Sequence, residues 1–111
     1  MSEDSQLVLP RSFIELYIPP GRIKPTASRN EMGERYEFCE DLASMLTEHA
    51  SLKLWELGIT QSDVLDRIHR GLVVPEAPVS PAEARWVVCR LAEMLEWPAP
   101  AGPTVQAADN E

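Results

Sequence analysis

From Ser28 to Gly58 apolar residues return at alternating steps of four and three: Met32, Tyr36, Cys39, Ala43, Leu46 and Ala50. That rhythm belongs to one face of an α-helix. The helix has a written start, because Ser28-Arg29-Asn30-Glu31 is a capping box in which serine and glutamate each satisfy an otherwise orphaned N–H. It has a written stop in Gly58, the residue that adopts a left-handed C′ position most cheaply. The stripe falters near Ala50-Ser51, where Lys53 takes an apolar slot and Leu52, Leu54 and Trp55 move the buried face. The pattern therefore predicts a helix over roughly 29–57, weakened or bent near its last third.

Three shorter elements flank it. Pro10 is placed as the first residue of a helix ending near Tyr17, with Phe13, Ile14, Leu16 and Tyr17 on its apolar face and Pro19-Pro20-Gly21 as its stop. Thr60-Gln61-Ser62-Asp63 starts a third helix whose inner face carries Val64, Leu65, Ile68 and Leu72, closed by Gly71. Ser80-Pro81-Ala82-Glu83 starts the last helix, with serine at the N-cap, proline at the first turn and glutamate three residues on. That helix is apolar nearly all round, from Ala84 to Trp97, which marks a central element. The expected fold is all-α: a bundle of about four helices with one long helix. Residues 1–9 read as a flexible N-terminus, 10–97 as the helical domain and 98–111 as a disordered tail.

Composition narrows the function classes. The 44% apolar and 25% charged fractions are ordinary for one small globular domain. The net charge of −8 is not ordinary. It repels polyphosphate and anionic lipid, so nucleic acid and membrane surfaces are disfavoured partners. No apolar run is long enough to span a bilayer, and Met1-Ser2-Glu3-Asp4 lacks the apolar core of a signal peptide. Cys39 and Cys89 both sit in helical patterns, which suits reduced thiols in a cytoplasm.

Chemistry-bearing constellations are few. Leu57-Gly58-Ile59-Thr60 followed by Val64 has the glycine-to-valine spacing of a helix-turn-helix, yet Asp63 and Asp66 would face phosphates and the preceding helix is acidic. The loop before the long helix holds the concentrated positive charge. Arg22, Lys24, Ser28 and Arg29 there are candidates for an anion or an acidic partner segment, against the plainer reading that they neutralise neighbouring acids. Glu31, Glu34, Glu37, Glu40, Asp41 and Glu48 read as a solvated helix face, or as a docking surface for a basic partner. His49, His69, Cys39 and Cys89 lack metal-ligand spacing, and one Asp66-x-x-His69 pair falls short of a di-iron set. No phosphate loop, nucleophile elbow or zinc-protease motif occurs, so neither catalysis nor a cofactor is expected. Cys39, among acids, should have its pKa raised.

Tyr17-Ile18-Pro19-Pro20-Gly21-Arg22, Arg35-Tyr36-Glu37-Phe38-Cys39-Glu40-Asp41-Leu42 and Leu57-Gly58-Ile59-Thr60 together resemble a set of short proteobacterial all-helical proteins, over most of residues 5–97. Some of these are loosely labelled as chaperone-type ATPases. The resemblance implies a bacterial, cytoplasmic origin. The ATPase label finds no Walker lysine loop here. The function expected from the chain is a protein–protein interaction or regulatory module, possible as a homodimer through the long helix, with Trp55, Trp86 and Trp97 as candidate interface residues. The alternatives are an anion- or nucleotide-responsive regulator using the basic loop, and a helix-turn-helix DNA binder.

Overall fold

A computed structural model describes residues 9–98. The four helices are α1 (Arg11–Ile14, continued by a 3₁₀ turn over Glu15–Tyr17), α2 (Arg29–Leu57), α3 (Gln61–Leu72) and α4 (Pro81–Leu95). There is no strand among the described residues, and the fold is an all-α bundle with one long helix. The expected flexible start and disordered tail fall outside these residues except for Leu9, which is buried, and Pro98, which is exposed.

The caps form as the sequence spells them. Ser28 Oγ accepts from the Glu31 N–H at 3.0 Å while Glu31 accepts from the Ser28 N–H at 2.9 Å. Ser80 and Glu83 make the same reciprocal pair at 3.1 and 3.0 Å. Thr60 Oγ1 caps α3 through the Asp63 N–H at 3.0 Å. Gly58 closes α2 at φ 62° and Gly21 turns the Pro19–Arg22 loop at φ 79°, both left-handed as their positions required.

Four local expectations need correction. Pro10 is the N-cap of α1, at φ −61° and ψ 142°, rather than its first helical residue. Its ψ is extended, outside the helical range, and its carbonyl accepts from Phe13 and Ile14. Helix α2 runs unbroken through Ala50-Ser51, because Ala50 stays fully buried and keeps the stripe in phase. Of the three residues expected to shift that face, only Leu54 packs on the core; Leu52 and Trp55 are exposed. Gly71 lies inside α3, which ends at Leu72 with Val73 as its cap. Helix α4 stops at Leu95, two residues early, because Glu96 takes a left-handed conformation at φ 61°. The Trp97 N–H then reaches back to the Ala92 carbonyl at 2.9 Å, a Schellman-type closure.

Helix α4 is the hub, touching α1, α2 and α3. Its Ala84, Val87, Val88, Leu91 and Ala92 are buried against Cys39, Ala43 and Ala50 of α2 and Val64, Leu65 and Ile68 of α3. Small residues on the α2 stripe let the two long helices approach closely, and branched residues on α4 fill the space. Phe13, fully buried, anchors α1. Its ring meets Trp86 at 5.0 Å, Tyr17 at 5.4 Å and Tyr36 at 5.5 Å, with edge-on geometry to Trp86 and Tyr36.

Candidate functional site

Two arginine–carboxylate clamps fix α2 against α4. Arg35 of α2 donates through Nε and Nη2 to Glu83 at 3.0 and 2.8 Å, and its Nη2 also reaches the Pro78 carbonyl at 2.9 Å. Arg90 of α4 returns the gesture, gripping Glu40 at 2.9–3.1 Å and Glu93 at 3.1 Å. Because 35 meets 83 and 40 meets 90, the two helices run in the same sense. Glu83 also accepts from the Tyr17 hydroxyl. Burial opposes its charge, but Arg35, Tyr17 and the Ser80 N–H outweigh that and hold its pKa down at about 2. Burial, followed by the Glu83 carboxylate, drives Tyr17 above its usual range. Glu83 thus ties α4 to Arg35 of α2 and to Tyr17, and the cluster braces the body.

The thiols are quiet. Cys39 is fully buried, and burial with Glu83 nearby pushes its pKa up to about 12. The direction is the one expected; burial, rather than the acids flanking it in sequence, is the main cause. Cys89 lines a groove of about 530 Å³ with Leu16, Tyr36, Arg85, Trp86 and Arg90. Burial, followed by Glu93, raises its pKa as well. Both shifts move away from a reactive thiolate.

The expected interface tryptophans are not brought together. Trp86 is half-buried in the aromatic cluster, and its indole N–H donates to Ser12 Oγ at 3.0 Å. Trp97 is folded back onto the core by the Glu96 turn. Trp55 alone is free, at 84% exposure. It lies 19 residues beyond Tyr36, the residue that touches Trp86, which is roughly 28 Å along the helix axis. The basic loop is laid out as an open surface turn: Arg22 and Lys24 are exposed, while Ser28 and Glu31 are engaged in the cap. Glu31 thus already supplies negative charge at that helix end. In α3, Asp66 pairs with Arg70 at 2.7 Å on the face a DNA reader would present.

Helix α2 carries a second apolar face that its buried stripe does not include. Phe38, Met45, Leu52 and Trp55 of α2 are all exposed, Met45 at 70%. At 100° per residue Phe38, Met45 and Leu52 fall within a 40° band. That band lies about 140° round the helix from the Cys39–Ala43–Ala50 side. Helix α2 therefore carries two opposed apolar faces, one building the core and one open to solvent. The seven-residue repeat of 38, 45 and 52 is visible in the sequence, but the denser buried stripe overlaps and hides it. Beside the open face runs a second heptad line, Glu34, Asp41 and Glu48, all exposed. Among the described residues no cation pairs with any of the three. The six acids expected to form one face thus divide: Glu31 caps, Glu40 holds Arg90, Glu37 is exposed off the line, and the line of three remains open.

Among the described residues no three histidine, cysteine or acidic side chains converge as metal ligands, and no helix is long and apolar enough to cross a membrane. Comparison with protein-family models, with curated proteins and with solved structures finds no match to the chain.

Proposed function

We propose that this chain is a protein–protein interaction or regulatory module of a bacterial cytoplasm, acting by docking and not by catalysis of its own. The observation that carries the reading is the outer face of α2, where Phe38, Met45, Leu52 and Trp55 are exposed on the side away from the core, Phe38 partly covered by the Arg35 guanidinium 5.0 Å from its ring centroid. Scattered exposed apolar residues are ordinary, but large ones recurring every seven residues along one face of a helix mark an interaction surface. Tryptophan and methionine suit such a surface, one as a rigid anchor and the other as an adaptable contact. The face costs the fold nothing to keep free, because none of the four side chains belongs to the buried cluster.

The reading is tested by placing a photo-crosslinking residue at position 45, or at Glu76 in the exposed connector as a control, in the source cell. Adducts at 45 that disappear when Leu52 and Trp55 are changed to serine are the expected result. Equal labelling at both positions, or none at 45, overturns the proposal.

A further inference from the structure

Resting on the docking face just described, we propose that its partner is a basic amphipathic helix, and not a second copy of this chain. The argument is charge complementarity along a line of fixed geometry. Phe38, Met45 and Leu52 recur every seven residues, so they drift by only about 20° per repeat and form a nearly straight ridge. The ridge is about 21 Å long, and Trp55 stands one turn beyond Leu52, about 60° round the helix. That length matches about four turns of a docked helix. Glu34, Asp41 and Glu48 repeat with the same period one turn earlier, so the acids alternate with the apolar residues along the contact. Glu40 and Glu83, which face the bundle, are each held by an arginine, whereas among the described residues these three have no such partner. A partner helix with an apolar stripe flanked by lysine or arginine supplies both missing halves.

A second copy supplies the wrong charge. In a parallel pair about this face, the twofold axis lies along the helices and sets each acid line against the other flank of the second copy. In an antiparallel pair, a twofold axis perpendicular to the helices keeps the acid line of both copies on the same side, so like charges meet. The cations on the other flank do not relieve this, since Arg35 is held by Glu83 and Lys53 leans on Glu56 at 3.5 Å. The net charge of −8 adds to the repulsion.

The probe is a synthetic peptide of about 18 residues with leucine on one helical face and lysine elsewhere. Its controls are the same peptide with glutamate for lysine, and a peptide of equal composition with leucine scattered round the helix. Binding to the full chain is followed by calorimetry at low and at physiological salt. The basic amphipathic peptide is expected to bind at least about tenfold more tightly than either control. Met45→Ser with Leu52→Ser is expected to weaken it by about tenfold or more. Asp41→Asn with Glu48→Gln should weaken it several-fold and flatten its salt dependence, while Glu76→Gln changes nothing. Equal binding of the scattered peptide, or binding untouched by the Met45 and Leu52 changes, reduces the effect to general charge attraction and overturns the inference. Binding of the acidic peptide, of lipid vesicles, or of a second copy through this face, the last seen by light scattering and abolished by Met45→Ser with Leu52→Ser, also overturns it. In those cases the crosslinks at position 45 survive for a protein partner, so the docking reading stands or falls separately.

Discussion

Glu83 shows how much one side chain can be asked to hold. It closes the α4 capping box, takes the Arg35 fork from α2 and the Tyr17 hydroxyl from the end of α1, and is 5% exposed. Its carboxyl titrates near 4.5 when unfolded and at about 2 when folded. A depressed folded pKa means the stabilisation is complete above pH 4.5 and is lost as pH falls through 2. The difference is on the order of 3 kcal/mol. Urea unfolding at a series of pH values should therefore show a steep loss below pH 4.5, and Glu83→Gln should be less stable at neutral pH with a shallower acid slope. Nothing in the sequence announces this brace beyond the capping box. Tyr17 and Arg35 lie 66 and 48 residues away, and such pairings exist only once the helices are packed.

At the scale of elements, starts were legible and stops less so. Serine and threonine at N-caps have one favourable arrangement, and Ser28, Thr60 and Ser80 all adopt it, whereas the start at Pro10 lies one residue from the expected position. Helix ends are less strongly marked. Gly58 signals its left-handed turn, but Glu96 makes the same turn without a glycine, and Gly71 sits one residue inside an end that it does not make. These two helix ends yield a paired prediction. Glu96→Gly relieves the left-handed strain of an exposed residue and should raise stability by about 1 kcal/mol. Gly71→Ala meets open space at its new Cβ inside a helix and should add about 0.5–1 kcal/mol. Thermal unfolding of each variant checks both, and a fall in melting temperature for either contradicts the corresponding end. The outer face of α2 escaped notice for a related reason: one helix carrying two apolar faces has little net amphipathic direction, so the buried stripe alone stands out.

For the whole molecule, α4 is the hub, and α2 meets it on one side while offering the other to solvent. The short α1 is joined to this body by the Phe13 aromatic cluster and by Tyr17. Phe13→Ala should cost about 3–5 kcal/mol, a large fraction of the stability of a domain this size, read by denaturant unfolding. The outer face of α2 should behave in the opposite way. Met45 and Leu52 contribute to no buried cluster, so removing them separates docking from folding. The most direct measurement is Met45→Ser with Leu52→Ser, followed in parallel by urea unfolding and by titration with the basic amphipathic peptide. Stability within about 0.5 kcal/mol of the parent, together with at least tenfold weaker binding, is the predicted result. Unchanged binding, or a loss of stability as large as that of Phe13→Ala, would contradict the assignment of this face to a partner.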